Sequence, residues 1–331
     1  MNNKTWAAKA LFGAVVVATG LTTSLAHAEI RWEMPTAYSA GSSVTQNYVQ
    51  FAEEVHELSG GEITINVHPG GSLYPGAEIM RAVRTGQVPI GAWFMAAEAN
   101  SNALFGLDTL PFIATSFDEA RQLYDVSREA LENEFESRGM KMLFMVPWPP
   151  QGLFHRHEIN DVPDMRGTRL RAYDATTTRI ADLLGATPTR TEAAEISQAF
   201  STGMAESMFG SGAIGVFQSL WDYVDYYYTV NAWIPKSAVF VNATAWEELS
   251  EEQRQVVMDA AERTEAKGWE EIEEVTAHYN EELSANGMQV LEPSEELARG
   301  LDEIGATIVE EWFESADVIS AEVLREYLST R

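Results

Sequence analysis

The chain has 331 residues and no cysteine, which excludes disulfides, thiolate metal sites and cysteine nucleophiles. Its 50 acidic residues against 22 basic ones give a net charge of -28, which argues against nucleic acid or anionic lipid as partners, because both bind basic surfaces. We interpret the acidity either as adaptation to a saline medium, in which salt screens repulsion, or as ordinary solvated surface.

Residues 1–28 have the pattern of a secretory signal peptide. Lys4 and Lys9 precede an apolar run over residues 10–18, and Ala26-His27-Ala28 forms an A-x-A cleavage site. We expect cleavage after Ala28, export to the periplasm and a mature chain of 303 residues, which is 331 less the 28 removed. An uncleaved anchor is the alternative, but the run is short and interrupted, and no later stretch has about twenty continuous apolar residues. We therefore expect no stable membrane insertion.

The next hundred or so residues alternate strand and helix patterns. Strands are predicted at residues 29–35, 63–67, 88–95 and 142–146, where apolar residues alternate or run together. Helices are predicted after capping boxes at Ser43 with Gln46 and at Ser116 with Glu119, and over residues 77–85, which Gly86 ends. This order predicts an α/β lobe with parallel strands and right-handed crossovers.

A second lobe is expected after Pro149 and Pro150, which block both a helix and a central strand. Helices are predicted at residues 175–184, 192–200, 245–285, 294–316 and 320–327, and strands at residues 169–173, 204–209 and 235–242. A chain of this length usually exceeds one hydrophobic core. We therefore divide it into lobe I (residues 29–147 and 237–275) and lobe II (residues 148–236 and 276–331), which can close on a ligand about their crossing segments.

The strand at residues 169–173 carries two arginines. Arg169 and Arg171 point the same way because side chains alternate along a strand. One of them is expected to leave the bulk surface and meet a cleft.

Two patterns resemble chemical motifs, but the sequence lacks the further residues that each motif requires. Gly210-Ser211-Gly212-Ala213-Ile214-Gly215 matches G-x-G-x-x-G, but Asp222 and Asp225 come too early for the acidic residue of a dinucleotide site. His155 and His157 share a strand face, but no third metal ligand stands at a suitable spacing. No G-x-S-x-G nucleophile elbow occurs. We therefore predict no enzyme activity, no cofactor and no metal.

Aromatic residues fall at predicted strand ends or in glycine- and proline-rich loops. Core packing is the better interpretation of any one of them. As a set they indicate a cleft lined by flat apolar surfaces with few polar anchors. They are Trp93, Phe94, Trp148, Phe154, Phe209, Phe217 and Trp221.

Residues 163–171 read P-D-M-R-G-T-R-L-R, which resembles the arginine motif of solute-binding proteins of tripartite ATP-independent periplasmic (TRAP) transporters. Segments 70–86, 110–113 and 184–188 also resemble that family. The resemblance implies two α/β lobes, a long helix spanning both, and a ligand held between them with its carboxylate on Arg171. It also implies delivery of the ligand to small and large membrane permease subunits that an ion gradient drives, and we expect a monomer.

The chain departs from the family at two polar positions. Where many members have V-D-G-x-E-N, residues 205–210 read A-E-S-M-F-G, so the family's ligand-contacting Asn falls on Gly210. In the first lobe, some members use a polar residue at a strand end where this chain has Phe94. Both changes remove hydrogen-bonding groups, which argues against a sugar acid as the ligand.

Two ligand chemistries follow, and we prefer the first because the arginine motif is intact. A small monocarboxylate would bind Arg171 with help from Gln151 and Ser211; a small amine or alkanolamine such as ethanolamine would sit in an aromatic cage with Asp174 as its counter-ion. An exported enzyme or a sensor receptor on the same scaffold is a further alternative. The candidate ligand-binding residues are Tyr38, Trp93, Phe94, Trp148, Gln151, Phe154, Arg171, Tyr173, Asp174, Phe209, Ser211 and Trp221.

Overall fold

The computed structural model describes residues 29–330, so the proposed signal peptide lies outside the described residues. The strands are β1 (Ile30–Pro35), β2 (Ile63–His68), β3 (Ile90–Phe94), β4 (Met140–Pro147), β5 (Gln151–His155), β6 (Arg169–Ala172), β7 (Thr187–Arg190), β8 (Ser207–Ser211), β9 (Tyr226–Tyr228), β10 (Lys236–Asn242) and β11 (Gln289–Leu291). The helices are α1 (Ser43–Leu58), α2 (Gly76–Arg84), α3 (Phe117–Ser137), α4 (Ala175–Leu184), α5 (Ile196–Ser201), α6 (Gly212–Phe217), α7 (Ala243–Glu247), α8 (Glu251–Ala285), α9 (Glu295–Ser315) and α10 (Val318–Ser329).

Local capping signals set the helix ends. Ser116 and Glu119 form the predicted capping box of α3. At α1 the predicted cap was wrong by one residue, because Ser42 rather than Ser43 accepts the hydrogen bond, from the Thr45 amide at 3.3 Å. A helix cap needs extended backbone before the first turn, and residue 42 has it.

The first lobe holds two small sheets joined by a bridge between Thr36 and Ala92. Strands β1 and β2 are parallel, as predicted. The order β3-β10-β4 is antiparallel throughout, so the prediction of parallel strands was wrong there: β10 returns from the second lobe and enters between the other two. Neighbouring residues of β10, such as Val239 and Phe240, lie in different apolar clusters, so each face of this sheet carries a core layer.

The second lobe is built on a six-stranded mixed sheet in the order β11-β9-β5-β8-β6-β7. The central strands also send neighbouring residues to opposite faces: Leu153 and Phe209 lie in one apolar cluster, and Phe154 and Met208 lie in another. The arginine strand β6 pairs in parallel with β7 on one side and β8 on the other. An interior strand holds its side chains rigidly, which suits a binding residue.

Long helices tie the lobes together. Helix α8 has 35 residues, about 52 Å, and contacts α1 and β4 in the first lobe and α6 and β11 in the second. This confirms the predicted two-lobed architecture with a long spanning helix. Helix α9 also spans, with Leu301 in a second-lobe cluster and Trp312 packed on a first-lobe one. Among residues 29–330 no helix combines the length and the apolar content needed to cross a membrane.

The C-terminal helix α10 corrects the predicted division of the chain, which placed residues 276–331 in lobe II. Leu324 and Tyr327 are fully buried in a first-lobe cluster with α3 and β4, and the Tyr327 hydroxyl donates to the Ile113 carbonyl at 3.1 Å. An amphipathic sequence shows that one face of a helix is buried but not which lobe covers it.

Candidate functional site

A cleft of about 560 Å³ opens between the two lobes. Strand ends and helix starts from both lobes form its walls, which is where α/β proteins commonly hold ligands. The first lobe contributes Ala37, Tyr38, Gly70, Gly71, Pro75, Gly76, Ala77, Trp93, Phe94, Ala97 and Glu98. The crossing segments and the second lobe contribute Trp148, Gln151, Arg171, Tyr173, Arg190, Glu192, Ala193, Ala194, Gly210, Ser211, Ile214 and Pro235.

Arg171 reaches this cleft from β6 and is 6% exposed. Its Nε donates to the Thr191 carbonyl at 3.0 Å, and its guanidinium carbon lies 4.6 Å from the centre of the Tyr173 ring. Within residues 29–330 no carboxylate oxygen comes within 4.0 Å of the guanidinium. Burial lowers the pKa of Arg171, as expected for a cation removed from water. The terminal nitrogens are thus available to an anionic ligand.

Arg169, two residues earlier on the same strand, serves as the contrast. Its side chain is 44% exposed and pairs with Glu206 at 2.6 Å, outside the residues that line the cleft. The expectation that one of the two arginines meets a cleft is therefore met by Arg171.

Aromatic rings close the cleft around Arg171. Tyr38 makes an edge contact with Trp148 at 4.5 Å between ring centres and a stacked contact with Trp93 at 6.5 Å. Across the lobes Phe94 meets Tyr173 edge-on at 5.9 Å. Burial raises the pKa values of Tyr38 and Tyr173 well above 10, so both phenols are neutral donors at pH 7.

Gln151 and Ser211 supply the polar side chains beside the rings. The two residues stand opposite each other in the ladder of β5 and β8, and both are nearly fully buried. The Gln151 amide nitrogen donates to the Pro149 carbonyl at 3.0 Å, and the Ser211 hydroxyl accepts from the Ile214 amide at 3.4 Å. The Gln151 amide oxygen and the Ser211 hydroxyl hydrogen can therefore serve a ligand.

Asp174 does not line the cleft. Its carboxylate caps α4 by accepting from the Thr177 amide at 2.7 Å and from the Thr177 hydroxyl at 2.6 Å. Burial raises the pKa of Asp174, and its hydrogen bonds to Thr177 oppose that rise. One oxygen of the carboxylate that the amine hypothesis required, Oδ1, is thus engaged in a helix cap, and the other, Oδ2, is buried without a hydrogen-bond partner among residues 29–330.

Three predicted aromatic residues also lie away from the cleft wall. Phe154 stacks on Tyr227 at 4.3 Å, and Phe209 stacks on Trp233 at 5.4 Å, each in the core against one face of the second-lobe sheet. Trp221 packs at the margin of the core that contains Phe154. Phe154 and Phe209 lie inside their strands, whereas the strand ends Gln151 and Ser211 meet the cleft.

The glycine pattern at residues 210–215 has a packing explanation. A Cβ at Gly215 would lie 2.6 Å from the Phe154 ring, and one at Gly210 would lie 2.8 Å from Met208. His155 is buried in the second lobe, where its Nδ1 contacts the His157 carbonyl at 2.7 Å, whereas the His157 side chain is exposed. Within residues 29–330 no cluster of three acidic or histidine side chains is arranged to hold a metal.

Several residues that line the cleft were not among the candidate binding residues from the sequence. They are the loop at Gly70 and Gly71, the start of α2, and the charged residues Glu98, Arg190 and Glu192. Arg190 and Glu192 lie at the exposed edge of the cleft, 3.9 Å apart. The sequence does signal a tight turn in the loop, because two consecutive glycines permit positive φ values. Gly70 and Gly71 adopt φ values of 66° and 68°, which other residues rarely reach.

Comparison with known proteins places this geometry in context. The model of bacterial extracellular solute-binding protein family 7 matches residues 35–316. The structure of DctP6, a Bordetella pertussis extracytoplasmic solute receptor binding pyroglutamic acid, is 36% identical with a TM-score of 0.88, covering 91% of this chain and 100% of that one. A marine metagenome TRAP solute-binding protein specific for pyroglutamate is also 36% identical, with a TM-score of 0.88 and coverage of 91% and 99%. The monocarboxylate 2-oxoacid-binding periplasmic protein of Nostoc is 22% identical over 90% of this chain and 84% of its own length.

Proposed function

The chain belongs to bacterial extracellular solute-binding protein family 7, and on that premise we propose that it is the periplasmic receptor of a TRAP transporter for a small monocarboxylate. The ligand binds between the lobes with its carboxylate on Arg171, and the closed protein delivers it to the membrane permease subunits. A cyclic acid such as pyroglutamate is the ligand that we favour.

The single observation that carries this proposal is the buried Arg171 guanidinium without a carboxylate partner. Burial of an unpaired charge costs several kcal/mol, so proteins rarely keep one without a use. The guanidinium presents a rigid fork that matches two carboxylate oxygens, which an ammonium group cannot copy. Each charge-assisted hydrogen bond contributes about 1.5–3 kcal/mol. A ligand carboxylate would supply the missing counter-ion.

The charges of the cleft favour one carboxylate rather than two. Arg190 is the second cation of the lining, but it is exposed and lies beside Glu192. Glu98 adds a further carboxylate to the first-lobe wall. A second anionic group on the ligand would therefore meet negative charge or apolar rings. The replacement of family polar positions by Gly210 and Phe94 likewise disfavours a polyhydroxy acid.

The relatives support the same ligand class. Two solved structures at 36% identity are described as binding pyroglutamate, and the Nostoc relative as binding monocarboxylate 2-oxoacids. Nothing among these relatives supports the amine hypothesis, and Asp174 is engaged as a helix cap. A monocarboxylate is thus preferred over an amine.

A thermal-shift screen tests the proposal. The panel is pyroglutamate, a 2-oxoacid, glucuronate and ethanolamine, and a ligand at about 100 times its dissociation constant adds about 2.7 kcal/mol to stability. We expect pyroglutamate or the 2-oxoacid to raise the melting temperature of the wild type and not that of Arg171→Ala. Arg169→Ala is the matched control, because it removes an arginine of the same strand face outside the cleft, and it should respond as the wild type does.

Two outcomes would reject the ligand class: stabilisation by ethanolamine alone, or an unchanged response of Arg171→Ala to the acids. Recovery of the acid unaltered after long incubation is expected of a receptor. Conversion of the acid would instead support an enzyme on this scaffold.

A further inference from the structure

The amino end of α2 lies in the first-lobe wall of the cleft, in the lobe opposite Arg171. Pro75, Gly76 and Ala77 all line the cleft there. A role for this wall rests on the proposed function and concerns the end of the ligand opposite its carboxylate. The helix has nine residues, long enough for its first amides to carry a partial positive charge.

Two amides of this first turn are free. Pro75 holds the cap position and supplies no side-chain hydrogen bond. The Glu78 amide donates to the Pro75 carbonyl at 2.9 Å. The amides of Gly76 and Ala77 have no acceptor in the part of the chain that the structure describes. Helix starts need acceptors from outside the helix, so a group in the cleft can fill this role.

Two buried polar side chains among the residues that line the same cleft give an independent indication of a ligand. Arg171 is 94% buried, and its terminal nitrogens lack a carboxylate partner among residues 29–330. Trp93 is equally buried, and its Nε1 has no hydrogen-bond partner there. The Trp93 ring also packs against the first turn of α2, because a Cβ at Gly76 would lie 2.2 Å from Cη2 of the ring. The indole and the free amides thus belong to one wall.

The charges around this wall decide which kind of acceptor fits. Glu78 stands in the first turn and pairs with Arg81 on the exposed side of the helix, and Glu98 lines the cleft nearby in the same lobe. These carboxylates offset the positive end of the helix, so a second anion gains little there. A neutral oxygen still accepts two hydrogen bonds from the amides.

We propose that the amino end of α2 is a second subsite of the cleft, which binds a neutral carbonyl oxygen at the end of the ligand opposite its carboxylate. Amide N–H groups can donate to a lactam or to a ketone, since both present a carbonyl oxygen as the acceptor. The cleft therefore selects small acids that carry a carbonyl group away from the carboxylate over acids of the same shape without one.

Three cyclic acids test this selection by isothermal titration: pyroglutamate, 3-oxocyclopentanecarboxylate and cyclopentanecarboxylate. The second keeps the ring carbonyl of pyroglutamate and replaces the lactam N–H by a methylene, and the third lacks the carbonyl. One neutral hydrogen bond is worth about 0.5–1.5 kcal/mol, or about 2- to 13-fold in affinity. We expect the 3-oxo acid to bind the wild type about tenfold more tightly than cyclopentanecarboxylate.

Ala77→Pro removes one of the two amide donors. Ala77 is exposed and lies in the first helical turn, where proline is tolerated. We expect the ratio of the two affinities to fall to about threefold or less in this variant. Glu296→Pro, at the same position of α9 and far from the cleft, controls for the effect of a first-turn proline and should keep the wild-type ratio.

Equal affinities of the 3-oxo acid and cyclopentanecarboxylate for the wild type would overturn the subsite and leave the proposed function standing. So would an unchanged ratio in Ala77→Pro. Failure of all three acids to bind would overturn the proposed ligand class and the subsite together.

Discussion

Replacement of Arg171 by methionine should separate ligand binding from stability. The side chain is buried, keeps one hydrogen bond to the Thr191 carbonyl and stacks on Tyr173, but has no carboxylate partner within residues 29–330. Methionine has a similar length, packs well in irregular apolar sites and carries no charge. The variant should therefore lose its ligand while keeping its fold.

The two effects have different sizes. A carboxylate on two guanidinium nitrogens makes two charge-assisted bonds of about 1.5–3 kcal/mol each, so affinity should fall about 10²- to 10⁴-fold. Without ligand, an unpaired buried cation costs several kcal/mol. The hydrogen bond to Thr191, about 1.5–3 kcal/mol, and the contact with Tyr173, about 0.5–2 kcal/mol, offset part of it. We expect ligand-free Arg171→Met to be about 1–2 kcal/mol more stable, a rise in melting temperature of about 2–4 °C.

Calorimetry of protein freed of bound ligand by unfolding and refolding measures the stability, and titration with pyroglutamate measures the binding. Arg169→Met is the control, because that arginine is half-exposed and already paired with Glu206. It should leave the affinity unchanged and alter stability by less than about 1 kcal/mol. A ligand-free Arg171→Met that melts several degrees lower than the wild type would show that Arg171 is structural. Retained affinity would refute its binding role.

Other parts of the molecule give further expectations. Glu265→Ala should lower the free energy of unfolding in urea by about 3–5 kcal/mol, because its buried carboxylate accepts from Arg128 at 2.9 Å and from two further donors; a loss below about 1 kcal/mol would contradict this. Gly76→Ala should weaken pyroglutamate binding at least about tenfold, because the new Cβ would lie 2.2 Å from the Trp93 ring. Gly41→Ala, whose Cβ meets nothing closer than 3.8 Å, is its control, and equal affinities of the two variants would refute the steric effect. The melting temperature should rise between 0.1 and about 2 M sodium chloride as the Debye length falls from about 10 Å to below 3 Å, and a flat or falling curve would reject adaptation to salt.

The sequence predicts the immediate surroundings of Arg171 well, because local rules govern them. Helix α4 has the predicted bounds, and Gly185 after its end adopts the left-handed conformation at φ 68°. Asp174 was predicted as a ligand counter-ion but caps the helix instead. The strand before it places Arg171 on a defined face. Strand alternation, a side-chain cap and a C-terminal glycine are all readable within a few residues.

Contacts between distant segments could not be predicted in this way. Phe154 and Phe209 resemble cleft aromatics in sequence, but the ladder of β5 and β8 turns them into the cores on the two faces of the sheet. Helix α10 has an apolar face that either lobe could have covered. The start of α2 was missed because the binding groups that we propose there are backbone amides, which every sequence contains. Only the fold shows which amides remain free.

Under the proposed function, the crossing segments couple ligand contact to lobe closure. The Trp148 amide donates to the Pro235 carbonyl and the Gln151 amide to the Trp233 carbonyl, both at 2.9 Å, so the two crossings run side by side, and we propose them as the hinge. Trp148, Gln151 and Pro235 also line the cleft. A ligand that packs on Trp148 or bonds to Gln151 therefore acts directly on the hinge. Arg171 lies in one lobe and the first turn of α2 in the other. If both bind the ligand as proposed, an acid with acceptors at both ends gains its full binding energy only when the lobes are closed. Differential affinity of this kind shifts a two-state equilibrium.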